Sequence, residues 1–345
     1  MSTRRIAELA GLSATTVSLA LRNHPKIPAA TRQRVLRIAQ RLGYRPNAKV
    51  AELMAQLRLA KERKQEACFG LISLYEHPRP WEQSPHFLRI HAGMTSRAEA
   101  LGYRLEPFWL RAPGMTHRRL RGILDVRGIQ GLLCFGSPNL DDELPREFHH
   151  YAIVTQGFSI GTPMHRVLHN VSNDMWRLLK KLHGLGYRRP GLVIGDYEGA
   201  RSAHAYLCVY LGWSQLELGT SPVVPVLHLS NVEEKPLMQW YAQHRPDVMI
   251  FIHHHTLLAE FAQVLRSNRL RVPDDVGVAV VSQILEGTGF SGMESNQQLM
   301  GAWAVELLVS RIMNQDFGVP RFPRVEMVDC RWVEGSSLRA LAPSA

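Results

Sequence analysis

Ile6-Ala7-Glu8-Leu9-Ala10-Gly11-Leu12-Ser13-Ala14-Thr15-Thr16-Val17-Ser18-Leu19-Ala20-Leu21 holds the reading that decides the amino-terminal fold. Ala7, Gly11 and Val17 stand at the spacing of two short helices crossing at a tight turn. Ala7 leaves room for the second helix, Gly11 permits a left-handed corner, and Leu9, Val17 and Leu21 are expected to fill the contact. Ser13 reads as the N-cap of the second helix, its hydroxyl accepting a backbone N–H two or three residues on. That arrangement turns Ala14, Thr15, Thr16, Ser18, Leu19 and Arg22 outward, where such a helix pair meets base edges and phosphates. A third helix is expected from about Pro28 to Leu42, with Val35, Leu36, Ile38, Ala39 and Leu42 offered to a small core. Gly43 stops it and Pro46 delays re-entry.

The next stretch, Asn47-Ala48-Lys49-Val50-Ala51-Glu52-Leu53-Met54-Ala55-Gln56-Leu57-Arg58, is amphipathic over about three turns. A helix that short is marginal alone in water and is expected to order only against a partner. Charge points the same way. Residues 1–66 contain 14 Lys or Arg against 4 Asp or Glu, a net of +10, whereas the remaining residues contain 27 against 26, a net of +1. The positive field is thus gathered on the segment proposed to meet a polyanion, as phosphate neutralisation and counterion release require.

Ile6 to Ser13, Thr16-Val17-Ser18, Thr31-Arg32 and Leu42-Gly43-Tyr44-Arg45-Pro46-Asn47-Ala48 together resemble the lactose-repressor/galactose-repressor family of transcription regulators. The likeness is dense over residues 4–54 and looser to about residue 338. It implies an α/β chain in four parts: a helix-turn-helix DNA-binding domain (1–46), a hinge helix and linker (47–66), a core of two Rossmann-like subdomains of the periplasmic-binding-protein type I kind (67–338), and a tail (339–345). It also implies a cytoplasmic, homodimeric regulator, a repressor by default, on a near-palindromic double-stranded DNA operator. By resemblance Ala14, Thr15 and Leu19 are the principal base readers, and Leu53, with Met54 behind it, is a wedge for the minor groove. Ser13, Thr16, Ser18, Arg22, Lys26, Thr31, Tyr44 and Asn47 complete the expected DNA contacts. Leu19 replaces a common guanine-reading Arg, which favours apolar contact with thymine methyl groups.

Beyond residue 66, short apolar runs alternate with helical patterns. Strands are expected at Cys68–Leu74, Tyr103–Leu110, Gly131–Phe135 and Tyr151–Thr155, with helices at Phe87–Leu101 and Thr116–Arg127. A second series of strands is expected near Gly191–Ile194, Val223–Leu229, Val248–Ile252 and Val276–Val281. Such alternation predicts two parallel sheets wrapped by helices. Leu-Gly-Tyr recurs at 42–44, 101–103 and 185–187, read as repeated helix-stop chemistry.

Ligands of such sheets bind beyond the carboxyl ends of the strands, here between the subdomains. The resemblance implies Phe87, Gln156, Tyr206, His254 and Ser282 as effector-binding positions, with Trp81 and Trp109 near them. Where the family often carries an Arg, an Asn-Asp pair and an Asp, this chain carries Tyr206, His254-His255 and Ser282, so the usual clamps on sugar hydroxyls are missing. A small-molecule effector of carbohydrate-like chemistry is the leading expectation; an unrelated ligand or none are the alternatives.

His253-His254-His255 invites a metal reading, but neighbours at a strand end point to opposite sides, and no second ligand cluster accompanies them. A polar cleft lining is the plainer reading, and no cofactor is expected. The chain has no Gly-x-x-x-x-Gly-Lys phosphate loop and no His-Glu-x-x-His zinc helix, which leaves an enzyme as the alternative from another class. A solute-binding protein shares the core fold, but residues 1–25 lack the apolar segment of an export signal. Cys68, Cys134, Cys208 and Cys330 are widely spaced and read as reduced core residues. No apolar run approaches the ~18 residues of a membrane span.

Overall fold

The computed structural model describes residues 3–21, 27–44, 67–140, 142–219, 223–282 and 285–340, and divides the chain into two units, 1–65 and 66–345. The small unit contains α1 (Thr3–Ala10), α2 (Ala14–Leu21) and α3 (Ala29–Arg41). Its core is Ile6, Ala7, Ala10, Val17, Ala20, Ile27, Val35 and Ala39, with Leu12, Leu19, Leu21, Ile38, Leu42 and Tyr44 packed at its edge. Two expected core members are outside it: Leu9 is 51% and Leu36 45% exposed. Small residues cause the difference. With Ala7, Ala10, Ala20 and Ala39 at the contacts, the helices approach closely and one apolar stripe each suffices, so Leu9 and Leu36 turn to solvent.

The large unit has two lobes, each a six-stranded sheet. The first lobe begins with β1 (Ala67–Ser73), α4 (Pro85–Ala100), β2 (Tyr103–Trp109), α5 (His117–Val126), β3 (Gly131–Cys134), β4 (Ala152–Gln156) and β5 (His165–His169). The chain then enters the second lobe with α6 (Val171–Gly184), β6 (Pro190–Gly195), α7 (Asp196–Arg201), α8 (Ala205–Glu217), β7 (Leu227–Leu229), α9 (Glu234–His244), β8 (Val248–Ile252), α10 (Leu258–Ser267), β9 (Gly277–Ser282) and β10 (Ser291–Glu294). It returns to the first lobe through α11 (Gln297–Met313) and β11 (Val325–Val328), and ends in the second with β12 (Arg331–Val333). The sheet orders are β11-β5-β4-β3-β1-β2 and β12-β10-β9-β8-β6-β7, parallel throughout except for β12 against β10.

Strands β3, β4, β6 and β8 are buried at every residue, because helices cover both faces; this is why they read as continuous apolar runs. Four strands were not expected from the sequence: β5, β10, β11 and β12. They carry polar residues such as Arg166, Glu294, Glu326 and Arg331 that break the apolar signal. The strand expected over Val223–Leu229 forms only at Leu227–Leu229.

The recurrent Leu-Gly-Tyr ends α3, α4 and α6, with Gly43, Gly102 and Gly186 at φ of 62°, 79° and 98°. At α3 the Tyr44 N–H reaches Ala39 O at 2.9 Å, and at α6 the Tyr187 N–H reaches Leu182 O at 3.1 Å. These are the long bonds of a left-handed helix stop, which a residue with a Cβ would strain.

Because the chain changes lobe after β5, β10 and β11, three adjacent segments join the lobes, and side chains tie them together. Asn170 and Asn173 donate through Nδ2 to Asp329 Oδ1 at 3.0 and 3.2 Å, while Asn296 Nδ2 donates to Asp329 O at 2.9 Å. Beside them the buried Glu294 receives Arg331 Nη2 at 2.8 Å and Arg89 Nη1 of α4 at 3.3 Å on Oε1, and the Leu285 and Glu286 N–H groups on Oε2. Burial alone would raise the Glu294 pKa; the Arg331 and backbone hydrogen bonds outweigh it and hold the carboxyl below its ordinary value.

Glu294 therefore stabilises the fold above the ordinary glutamate range, and that contribution is lost as the pH falls through its lower folded pKa. Glu294→Ala should cost on the order of 2 kcal/mol, discounted because Arg331 and Arg89 can turn to water. Urea denaturation at neutral pH should show the loss, with a difference from wild type that shrinks under acid.

Candidate nucleic-acid face and interlobe cleft

On the small unit the turn closes as the sequence suggests, with Gly11 at φ 61°. Ser13 Oγ accepts the Thr16 N–H at 3.1 Å and lies 2.8 Å from Thr16 Oγ1. Ser13, Ala14 and Thr15 are exposed at the start of α2, while Thr16, Ser18 and Leu19 are half-buried along it. Thr31 is half-buried on the first turns of α3, and Tyr44 is half-buried at its end. An exposed helix start rich in small residues and hydroxyls suits entry into a major groove, where bulk would hold the backbone away.

In the large unit, a cleft opens where strands of both sheets end. Tyr75 follows β1, Phe135 and Ser137 follow β3, Phe158 follows β4, Tyr197, Glu198 and Arg201 follow β6, and His253 follows β8; all of these line it. Leu168 to Ser172, Ser295, Met327 and Cys330 add the lobe-joining segments to its walls. The space left for the centres of water-sized molecules is about 170 Å³. Its first-lobe wall is aromatic: Phe87 meets Tyr75 edge-on at 5.2 Å and Phe135 at 5.4 Å between ring centroids. Trp81, 5.4 Å from Phe135, and Trp109, whose Nε1 donates to Tyr75 O at 3.0 Å, support this wall from behind. The lobes also touch across the mouth, where Tyr197 Oη donates to Ser137 O at 3.4 Å.

Polar groups in the cleft have uneven partners. His169 Nε2 pairs with Tyr206 Oη at 3.0 Å. Burial, then the charge of Arg201, pushes the His169 pKa down to about 4, so the ring is neutral at physiological pH, and burial raises the Tyr206 phenol well above its usual range. Gln156 Nε2 and Glu198 Oε2 are buried without hydrogen-bond partners. Arg201 stacks over Tyr197 with its guanidinium carbon 5.7 Å from the ring centroid.

Known proteins resemble both units of the chain. The sequence profile of the lacI family of bacterial regulatory proteins matches residues 4–47, and that of a periplasmic binding protein-like domain matches residues 179–338. Residues 4–47 form a DNA-binding domain of the lacI family, and a periplasmic binding protein-like domain follows it. It is 24% identical over 325 residues to the HTH-type transcriptional regulator CelR of Thermobifida fusca, covering 90% of this chain and 91% of that one. A solved CelR–cellobiose complex shares the fold at TM-score 0.61 and 20% identity, covering 98% of this chain and 99% of that one. The lac repressor dimer bound to operator and an anti-inducer does so at TM-score 0.57 and 17% identity, with 98% of each chain covered. The protein is a DNA-binding transcriptional regulator, and its relatives are regulators and not enzymes.

The regulator's structure can be set against each expected site residue. Phe87, Gln156 and Tyr206 line the cleft. His254 does not: it is exposed, and its N–H donates to His253 Nδ1 at 2.8 Å, so His253 takes the lining position and His254 faces away, as alternation at a strand end requires. Ser282 ends β9, and its side chain lies outside the described residues, as do Arg22, Lys26, Asn47, Leu53 and Met54 altogether. Glu198 and Arg201 are cleft residues that the sequence reading missed. Asp196-Tyr197-Glu198-Gly199-Ala200-Arg201 directly after a strand end was the available signal, since such turns face the ligand space. No Arg stands at Tyr206, but Arg201, five residues earlier, brings a guanidinium into the same cleft.

The cysteines divide differently from expectation. Cys134 and Cys330 are buried, and burial pushes the Cys134 thiol up to about 12, but Cys68 is half-buried and Cys208 exposed. Among the described residues, no helix is long and apolar enough to cross a membrane.

Removing the Ser13 cap tests the helix start. In Ser13→Ala, hydrogen exchange at the Thr16 amide should quicken by the equivalent of about 1 kcal/mol of lost local protection. Unchanged exchange would show that the hydroxyl contributes nothing to α2.

Proposed function

We propose that this regulator is a repressor that binds a near-palindromic operator as a homodimer and is released or tightened by a small, carbohydrate-like effector held between its lobes. The cleft carries the reading: it lies on the joining segments, so a ligand gripping both walls changes the angle between lobes rather than the inside of either. The first lobe's opening strand β1 follows the 47–66 stretch in the chain, which gives lobe movement a covalent route toward residues 1–46. The domain bounds 1–46, 47–66, 67–338 and 339–345 belong to this proposal.

Homodimerisation follows from the size of the reader. One helix-turn-helix covers little DNA, and two copies matched to a symmetric site double the contacts and let paired Leu53 side chains enter one minor-groove step. The lac repressor dimer bound to operator is the precedent for a dimer on DNA, and the CelR–cellobiose complex for a saccharide held by such a protein. The net charge of +10 over residues 1–66 supports the site of DNA contact.

Selection of bound duplexes from a random pool should yield a site with two-fold symmetry. Affinity for it should fall steeply with salt as phosphate counterions are displaced. Leu53→Ala should weaken binding at least tenfold and reduce DNA bending; a variant that binds and bends like wild type would remove the wedge from the account. An unsymmetric site with a flat salt response would overturn the operator reading itself.

A further inference from the structure

We propose that Glu198 selects the occupant of the cleft, accepting a neutral, hydroxyl-bearing ring and excluding ligands that present a phosphate or carboxylate. This rests on the effector reading above and names the chemistry of the ligand and the residue that enforces it.

Glu198 is only 9% exposed, a carboxylate held in a cleft lined mainly by aromatic and aliphatic carbon. It is folded back on the end of β6 so closely that a Cβ on Gly195 would lie 2.2 Å from Oε2. That oxygen has no hydrogen-bond partner. The nearest candidate, His253 Nδ1 at 3.8 Å, already accepts the His254 N–H at 2.8 Å, while Nε2 faces Leu229 O at 3.3 Å. His253 therefore has no proton on Nδ1 to offer. Arg201, one turn along α7, extends toward the first lobe, where its Nη2 lies 3.9 Å from the place a Cβ on Gly157 would occupy. A buried carboxylate oxygen without a donor is unfavourable, and a donor brought by a ligand relieves it.

The opposite lobe carries the complementary deficit. Gln156, 6% exposed at the end of β4, has an Nε2 donor without an acceptor. A hydroxyl both donates and accepts, so a polyhydroxylated ring can satisfy Glu198 on one wall and Gln156 on the other while its faces lie against Phe87 and Tyr75. An anionic oxygen can serve Gln156 and Arg201 but is repelled by the Glu198 carboxylate beside them. An ammonium can serve Glu198 alone.

The test is titration of the full-length protein with cellobiose, glucose, glucose 6-phosphate and glucuronate, read by calorimetry and by the shift in unfolding temperature. At least one neutral sugar should bind and raise the unfolding temperature, and the phosphate and uronate should not. Glu198→Gln keeps the volume but loses the charge, and should weaken the neutral sugar on the order of tenfold. If that variant fails to fold by circular dichroism, Gln156→Glu, which replaces the donor by a second acceptor, should produce the same loss. Tighter binding of the phosphate or uronate than of either neutral sugar overturns the inference, as does neutral-sugar affinity within twofold of wild type in a folded variant. In those cases the effector reading survives; no binding by any of the four probes overturns the carbohydrate-like effector together with this inference.

Discussion

Three segments crossing between two sheets at one place are the constraint on which the large unit depends. Asp329 gathers them: its carboxylate holds Asn170 and Asn173, and its carbonyl holds Asn296. The Asn170 N–H adds a backbone bond to Val328 O at 2.9 Å, and Asp174 Oδ1 accepts the Cys330 N–H at 2.9 Å. Crossings tied to one another cannot slide independently, so relative motion of the lobes is confined to bending at this belt. The cleft is built on that belt, which makes a ligand there a lever on the lobe angle.

Glu294 limits the same motion from the second lobe. It binds Arg331 beside the third crossing and Arg89 on α4, so the bolt spans both lobes. Close by, Gly301 of α11 lets that helix approach α4 so tightly that a Cβ there would stand 2.1 Å from Ile90 O. Rigid packing within the first lobe and a pinned hinge between lobes are complementary: a stiff body transmits an angle, whereas a soft one would absorb it.

Much of this was legible in the sequence because the physics is local. Leu-Gly-Tyr marks helix ends wherever it occurs, since only the glycine accepts the left-handed corner. Ser13 declares its cap, and buried strands such as β8 declare themselves by unbroken apolar runs. Edge and crossover strands were not legible, because polar residues interrupt them and one such as Glu294 is held by partners distant in sequence, Arg331 and Arg89. The cleft was half legible. Phe87, Gln156 and Tyr206 came through family likeness, but Glu198 and Arg201 are placed by the turn after β6, which the sequence reading did not single out. His253 and His254 differ by one residue, and one residue at a strand end reverses the side that faces the ligand.

The central claim is that cleft occupancy and operator binding share one free energy. Linkage makes this testable without knowing which state the effector favours: the factor by which the effector changes operator affinity must equal the factor by which the operator changes effector affinity. Operator affinity measured by fluorescence anisotropy with and without saturating effector, and effector affinity measured by calorimetry with and without operator, give the two factors. The account predicts equal factors clearly different from one, on the order of five- to 150-fold. A ligand that fills the cleft while leaving operator affinity unchanged would contradict it.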